Sequence, residues 1–395
     1  ISASAELYHL SFGLMLRLPM LRVLFILIVG GLLASTVHAQ TDVPPGAPGQ
    51  LRQFDTDLSK HNIDLSELRS GGPPKDGIPS IDSPSFIAPS RASDWLESQE
   101  PVIAVEHNGE AKAYPLQILT FHEIVNDRIG GRPVAVTFCP LCYAAIVFDR
   151  RIDGEAVEFG TSGMLRNSDL VMYDRKTESL WQQLTGAAVV GDLTGSTLTE
   201  VPAQIISFEQ FRANFPSGHV LSRNTGHQRN YGQNPYAGYD DVDKRPFLFN
   251  GPQDGRLPPM EKVVAVTFNG AHKAYPHSVT REARVIHDTV AGNALVVFHS
   301  EGAVSALDDR RIARSKEVGS TGVFRRTVDG QTLTFRYDDG QFVDEETGSV
   351  WTITGRAVDG PLAGEQLSRI EHGNHFAFSW FAFRPETTVY AANDE

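Results

Sequence analysis

Short stretches of alternating apolar and polar residues, separated by turn residues, run along most of the chain. The clearest is VIAVEHNGEAKAYP, residues 102–115, in which apolar residues alternate on both sides of Asn108-Gly109. This is the pattern of a β-hairpin closed by a tight turn. Helical spacing of apolar residues is confined to brief segments, residues 116–125 and 208–215. The pattern therefore predicts a mainly β protein of the α+β kind with a few short helices.

The first hairpin pattern recurs in the second half of the chain as VVAVTFNGAHKAYP, residues 263–276. Further matches follow in the same order: residues 160–163 (GTSG) with 319–322 (GSTG), and residues 177–181 (TESLW) with 347–351 (TGSVW). Ordered similarity of this kind indicates an internal repeat. We therefore predict two related β-rich units, each barrel- or sandwich-like and each with one or two short helices.

The length of 395 residues also favours two units, since a single hydrophobic core stops growing at smaller sizes. We place the first unit at residues 90–222 and the second at residues 263–392. A connector rich in Gly, Asn and Pro, residues 223–262, joins them. Residues 40–89 form a Pro- and Gly-rich lead-in before the first unit.

The N-terminal segment has the pattern of a secretory signal peptide. Arg17 and Arg22 precede an apolar run, residues 23–37, which ends at small residues before Ala39. The run is short for a membrane-spanning helix, so cleavage near Ala39 is favoured over a membrane anchor. We expect a periplasmic or secreted protein with no transmembrane span after cleavage. The sequence starts at Ile1, and a start at Met15 or Met20 would leave residues 1–14 untranslated.

The formal net charge of −13 is spread along the chain without an acidic block. Such a charge repels the phosphate backbone of nucleic acids. We therefore expect no nucleic-acid partner.

The two cysteines of the chain, Cys139 and Cys142, form a Cys-x-x-Cys motif between two apolar, strand-like runs. In thioredoxin-like redox proteins the motif opens a helix, whereas here a second strand is predicted to follow. At a β-turn, two intervening residues let both thiolates point at one ion. We predict a zinc or copper site, with His122 as the third ligand because it lies shortly before the motif.

The second half of the chain provides an internal comparison. His299 falls near the position of Cys139, and nothing there replaces Cys142. The Cys pair is thus not required by the repeated fold, which favours a functional role. One alternative is a periplasmic thiol-disulfide protein in which Cys139 attacks and Cys142 resolves. Another is a non-catalytic ligand-binding or scaffold module. The sequence leaves a redox or metal-delivery partner open and identifies none.

Several polar residues are further candidates for a pocket or for contacts behind the metal ligands: Glu123, Ser162, Asn167, His227, Arg229 and Tyr231. The last three lie in a connector dense in hydrogen-bonding and aromatic side chains, which either lines a site or is a long loop held by its tyrosines. The segment 160–163 is interpreted as a tight turn rather than an anion cradle, because it lacks the lysine of a P-loop. The His372 and His375 pair is interpreted as structural. The chain has no Gly-x-Ser-x-Gly elbow, so a hydrolase is a remote option.

Long segments of the chain resemble the bacterial and archaeal family known as domain of unknown function 3179, from about Ser70 to the end. They are SGGPPKDGIPSID, EPVIAVEHNGEAKAYPLQILTFHEIVND, VTFCPLCYAAIVFDR, FGTSGMLRNSDLVMYDRKTESLWQQ and LSRNTGHQRNYGQNPYAGYD. The resemblance implies no particular reaction. It does imply that the His-Glu and Cys-Pro-Leu-Cys elements, His122, Glu123, Cys139 and Cys142 here, are hallmarks. Phe121 stands where the family usually has Trp.

Overall fold

A computed structural model describes residues 43–391 of the chain. The predicted signal peptide and its cleavage position near Ala39 lie outside the described residues. Within residues 43–391, no helix combines the length and apolar character needed to cross a membrane. The described residues belong to one compact body, and the division at residues 222 and 263 stays a prediction.

The first half of the described chain is built mainly from short strands. They are β1 (Leu68–Ser70), β2 (Phe86–Ile87), β3 (Pro101–His107), β4 (Glu110–Pro115), β5 (Ile124–Ile129), β6 (Arg132–Cys139), β7 (Ala144–Asp149), β8 (Arg151–Ile152), β9 (Glu155–Ala156), β10 (Phe159–Arg166), β11 (Asp169–Asp174), β12 (Leu180–Gln182), β13 (Ala187–Val190), β14 (Thr199–Val201), β15 (Ala203–Ser207) and β16 (His219–Leu221).

The second half is also built mainly from short strands. Its strands are β17 (Lys262–Phe268), β18 (Ala271–Pro276), β19 (Val285–Val290), β20 (Asn293–Ser300), β21 (Ser320–Arg325), β22 (Thr327–Val328), β23 (Gln331–Thr332), β24 (Phe335–Asp338), β25 (Gln341–Asp344), β26 (Val350–Trp351), β27 (Ala357–Asp359), β28 (His372–Phe376) and β29 (Thr388–Val389).

Helices are few and short, as predicted. The α-helices are α1 (Pro89–Ala92), α2 (Leu116–His122), α3 (Phe208–Asn214), α4 (His277–Ala283) and α5 (Ala377–Phe383), and 3-10 turns cover Gly49–Gln53, Leu65–Glu67 and Ile312–Arg314. Helix α2 stops at His122 because Glu123 adopts φ 56, outside the helical region, and β5 begins at Ile124.

The two predicted hairpins form in the same register. In β3–β4, Val102 lies opposite Pro115, and in β17–β18, Val263 lies opposite Pro276. The turn residues Asn108 and Gly109 both have positive φ, 49 and 78, as do Asn269 and Gly270. Two consecutive residues with positive φ match the right-handed twist of the strands they join, which is why Asn-Gly is favoured. The hairpin predictions are therefore confirmed.

The sheets are open. In the first half the strand orders are β1-β10-β11-β12-β13, β14-β7-β6-β5 and β15-β3-β4-β16-β2; the longer sheets of the second half are β28-β17-β18-β29, β19-β20-β21 and β24-β25-β26-β27. None of the sheets formed by residues 43–391 closes into a barrel, so the barrel alternative is wrong for this part of the chain. The helix after each long hairpin leads the chain into a separate sheet.

The lead-in contributes to the folded body. Its strand β1 pairs with β10, and Leu51, Phe54 and Leu65 pack with residues of β10 and β11. Strand β2, the Phe86–Ile87 pair, joins β16. Apolar side chains thus anchor this Pro- and Gly-rich segment to the folded body.

Candidate metal centre and adjoining cavity

The Cys-x-x-Cys motif forms a tight turn between two strands. Strand β6 ends at Cys139, β7 begins at Ala144, and the Cys142 amide donates to the Cys139 carbonyl at 3.2 Å. Tyr143 completes the turn with φ 53. The strand-turn-strand context predicted for the motif is confirmed, so no helix N-terminus lies at the first thiol. From the second half of the chain, the Phe376 amide donates to the Cys142 carbonyl at 2.9 Å and supports the turn.

A carboxyl group from a different sheet completes a three-residue cluster. Asp169 is the first residue of β11, directly after the turn residues Asn167 and Ser168, which have φ 50 and 68. The sulfurs of Cys139 and Cys142 and a carboxylate oxygen of Asp169 all lie within 4.8 Å of one another. The three side chains are 1%, 0% and 0% exposed, so water does not solvate them.

Nitrogen donors bind only one oxygen of Asp169. Its Oδ2 accepts from Gln182 Nε2 at 2.5 Å and from the Leu184 amide at 2.9 Å. Its Oδ1 has no hydrogen-bond partner within residues 43–391. An unpartnered, buried carboxylate oxygen is costly, because nothing replaces the water it has lost.

Burial disfavours the charged form of all three groups. It raises the pKa of Asp169 to about 7, although hydrogen bonds from the Leu184 amide and Gln182, and weaker ones from the Cys142 and Cys139 thiols, oppose the shift. Burial likewise raises the pKa of the Cys139 thiol, and it raises that of the Cys142 thiol well above its usual value. Two sulfurs and one oxygen converging in a dry interior form a donor set that fits a metal cation, which would stabilise the ionised forms.

The predicted ligand His122 does not join this cluster. Its Nδ1 lies 2.7 Å from the Pro79 carbonyl oxygen, and its Nε2 lies 2.7 Å from the Tyr231 hydroxyl. A carbonyl only accepts, so Nδ1 carries the proton and Nε2 accepts from the tyrosine. Burial lowers the pKa of His122 to about 4, which keeps the ring neutral. Both ring nitrogens therefore already have hydrogen-bond partners away from the two cysteines. Metal binding by His122 stays a prediction.

Glu123 is buried close to the cluster. Burial, and then repulsion from Asp169, raise its pKa to about 8. Its positive φ at the end of α2 turns the side chain away from the helix and into the wall of a cavity of about 620 Å³. Leu141, inside the Cys-x-x-Cys turn, and Leu170, next to Asp169, line the same cavity. The cavity therefore lies directly behind the cysteine turn.

Most of the remaining cavity wall is apolar or aromatic. It consists of Gly71, Pro73, Ile78, Thr161, Gly163, Met164, Leu165, Tyr236, Tyr239, Arg245, Pro246, Phe247 and Leu248. The Tyr239 hydroxyl donates to the Leu141 carbonyl at 3.1 Å, which ties the connector to the cysteine turn.

Ser162 has a structural position. Its hydroxyl donates to the Val171 carbonyl at 2.5 Å and accepts from the Met164 amide at 3.0 Å. The pairing of β10 with β11 shifts register between Thr161 and Met164, so Ser162 lies within a bulge. Residues 160–163 therefore lie inside strand β10 at this bulge, and the predicted tight turn is wrong for this segment.

The other candidates, His227, Arg229 and Tyr231, line a second, more polar cavity of about 1050 Å³ together with Arg223 and Arg310. The His227 ring lies 5.4 Å from that of His122, centroid to centroid. His122 therefore lies beside this polar cavity, while its neighbour Glu123 faces the apolar one.

The second half contains no comparable cluster among the described residues. Strands β6 and β20 both have eight residues, which puts Ser300 at the position of Cys139 and His299 one residue earlier, at the position of Phe138. Arg284 follows α4 with φ 63, as Glu123 follows α2. Strand β20 thus ends at His299-Ser300 where β6 ends at Phe138-Cys139, and Arg284 follows α4 where Glu123 follows α2.

Sequence reasoning missed Asp169. It lies 27 residues after Cys142, on a strand of another sheet, and nothing in its local pattern distinguishes it from a turn aspartate. The only available signal was its place after Asn167-Ser168, a pair typical of a sharp turn.

The fold and the site define a mainly β protein with a buried cluster of two cysteines and one carboxyl group beside an apolar cavity. A model of the family described as "Protein of unknown function (DUF3179)" matches residues 75–387, and the chain belongs to this family. No curated protein and no solved structure matches the chain.

Proposed function

We propose that the protein is an exported metal-binding protein that holds zinc or copper through Cys139, Cys142 and Asp169. The observation that carries the proposal is the unpartnered Oδ1 of Asp169, buried beside two thiols. We assign the third ligand to Asp169 rather than His122, because hydrogen bonds engage both ring nitrogens of the histidine.

The donor set favours zinc. Thiolates suit both zinc and Cu(I), but a carboxylate oxygen is a usual zinc ligand and a poor ligand for soft Cu(I). Three protein ligands leave a fourth position of a tetrahedral ion open, as in catalytic zinc sites. The two thiolates and the carboxylate are buried, and the protein interior disfavours their negative charges. A bound cation would compensate these charges.

The test is metal analysis of the protein exported with its own N-terminal segment. We expect recovery from the periplasm or medium with a mature N-terminus at Gln40, and about one equivalent of metal, since a folded site retains its ion. The variants Cys142→Ser and Asp169→Asn should each retain less than about a tenth of an equivalent. His122→Gln is the matched control and should retain the metal.

Two outcomes would contradict the proposal. The first is folded wild-type protein without metal. The second is loss of metal in His122→Gln but not in Asp169→Asn, which would restore the histidine as the ligand. Circular dichroism of each variant separates loss of metal from loss of folding.

The thiol-disulfide alternative has weaker support. Both cysteines are free and almost entirely buried, so a protein partner has no direct access to either sulfur. Their raised pKa values also leave little reactive thiolate at neutral pH. Counting thiols in the same purified, denatured sample distinguishes the two hypotheses: two free thiols support the metal site, and none indicates a disulfide.

A further inference from the structure

The cavity behind the cysteine turn has the size and lining of a small-molecule site. Its volume of about 620 Å³ falls within the range of ligand pockets, about 300–1,000 Å³. Such pockets are mostly apolar with few polar groups that orient the ligand. Here Leu141, Leu165 and Leu170 form part of the apolar wall, and Glu123 provides a carboxyl group.

The carboxyl group of Glu123 makes no hydrogen bond within residues 43–391. The residue is 8% exposed, and no described residue donates a hydrogen bond to its carboxyl group. Buried carboxyl groups without a partner are costly. A ligand in the cavity could supply the missing hydrogen bond.

The mouth of the cavity is also apolar. Phe247 is 52% exposed and is one of three large hydrophobic residues, with Val242 and Val358, that are exposed within residues 43–391. Its amide donates to the Tyr239 hydroxyl at 3.1 Å, and that hydroxyl donates to the Leu141 carbonyl. The mouth is therefore connected by hydrogen bonds to the cysteine turn.

We propose that this cavity binds an apolar small molecule that carries one hydrogen-bonding group, with Glu123 as the partner of that group. The bound molecule lies beside the Cys139, Cys142 and Asp169 cluster, separated from it by Leu141 and Leu170. The inference does not rest on metal binding, so each proposal can fail while the other holds.

The test is a fluorescence titration of the full chain with N-phenyl-1-naphthylamine, a neutral apolar dye with a single N–H donor. We expect saturable binding of about one dye per chain. Ile78→Glu, which adds a charge to the half-buried cavity wall, should weaken binding by about tenfold or more, because the dye would have to desolvate the new carboxylate. Ile152→Glu, at a half-buried residue outside the cavity, is the matched control and should bind as the wild type does.

A second variant protects the test against misfolding. Phe247→Ser changes an exposed residue at the mouth and should also weaken binding, whereas Val358→Ser, at an exposed residue elsewhere, should not. Absence of saturable binding, or equal binding by wild type, Ile78→Glu and Phe247→Ser, would overturn the proposal.

The role of Glu123 is tested separately. Glu123→Gln keeps a hydrogen-bond acceptor and should bind the dye within about threefold of wild type, whereas Glu123→Leu should lose about threefold to tenfold. Unchanged or tighter binding by Glu123→Leu would show that the cavity recognises only apolar surface and would overturn the polar part of the proposal.

Discussion

At the scale of single residues, Asp169 and His122 differ in whether each of their buried polar atoms has a hydrogen-bond partner. Asp169 keeps one oxygen hydrogen-bonded and one free, whereas His122 has a partner at each ring nitrogen. Both side chains are buried, yet only Asp169 has an atom, Oδ1, that is free to bind a cation. The distinction depends on the partners Pro79 and Tyr231, which lie 43 and 109 residues away from His122 along the chain.

Burial of neutral His122 predicts a pH-dependent stability. The unfolded chain protonates this histidine near pH 6.5, whereas the folded protein does so only near pH 4. The contribution of His122 to the free energy of unfolding is therefore fully present above about pH 6.5. It is lost as the pH falls toward about 4, and the loss is at most about 3 kcal/mol. Urea unfolding at several pH values should show a smaller loss between pH 7 and pH 5 for His122→Gln than for wild type.

His219→Gln provides the control for this experiment, because His219 is exposed on β16. It should keep the wild-type pH dependence. If the free energy of unfolding of His122→Gln fell with pH as steeply as that of wild type, the assignment of a buried, neutral His122 ring would be contradicted.

At the scale of elements, helix α3 joins the two halves of the chain. Ser207 and Gln210 form a capping box at its N-terminus, with the Gln210 amide donating to Ser207 Oγ and the Ser207 amide donating to Gln210 Oε1. The same Gln210 donates to Ser300 Oγ at 2.9 Å and accepts from Ser320 Oγ at 2.5 Å. One side chain thus caps a helix and contacts two strands of the second half.

Substitutions at these two positions should therefore differ in cost. Ser207→Ala removes the cap and should lower the free energy of unfolding by about 1 kcal/mol. Gln210→Ala also leaves the buried Ser320 hydroxyl without a partner and should lower it by about 2 kcal/mol or more. Chemical denaturation of both variants measures the difference. Equal costs would mean that the contacts with the second half contribute nothing.

At the scale of the whole molecule, the two halves share a hydrophobic core. Ile206 and Phe208 belong to the same buried cluster as Val296, Phe298 and Phe324. The second half also supports the cysteine turn through Phe376. The candidate site is therefore in the first half, but its stability depends on both.

A shared core predicts cooperative unfolding. Tryptophan fluorescence and far-UV circular dichroism should report one coincident urea transition for the whole protein, because separating the halves would expose the common apolar cluster. Two resolved transitions would instead favour independent units with the boundaries predicted at residues 222 and 263.

The amino-acid sequence by itself determined the local elements of this protein. Alternating residues and Asn-Gly turns predicted both long hairpins, and the apolar runs around Cys139 and Cys142 predicted a strand-turn-strand motif; the long motifs predicted the family. These features depend on backbone conformations and side-chain periodicity within a few neighbouring residues, so a linear pattern contains them.

Only the tertiary structure decided which residues meet. It brought Asp169 from another sheet to the two sulfurs, engaged His122 with Pro79 and Tyr231, and turned Glu123 into an apolar cavity. It also kept the sheets open and merged the cores of the two halves. The physical reason is that such contacts result from the packing of distant segments against one another, and the local pattern around each residue does not specify its distant partner.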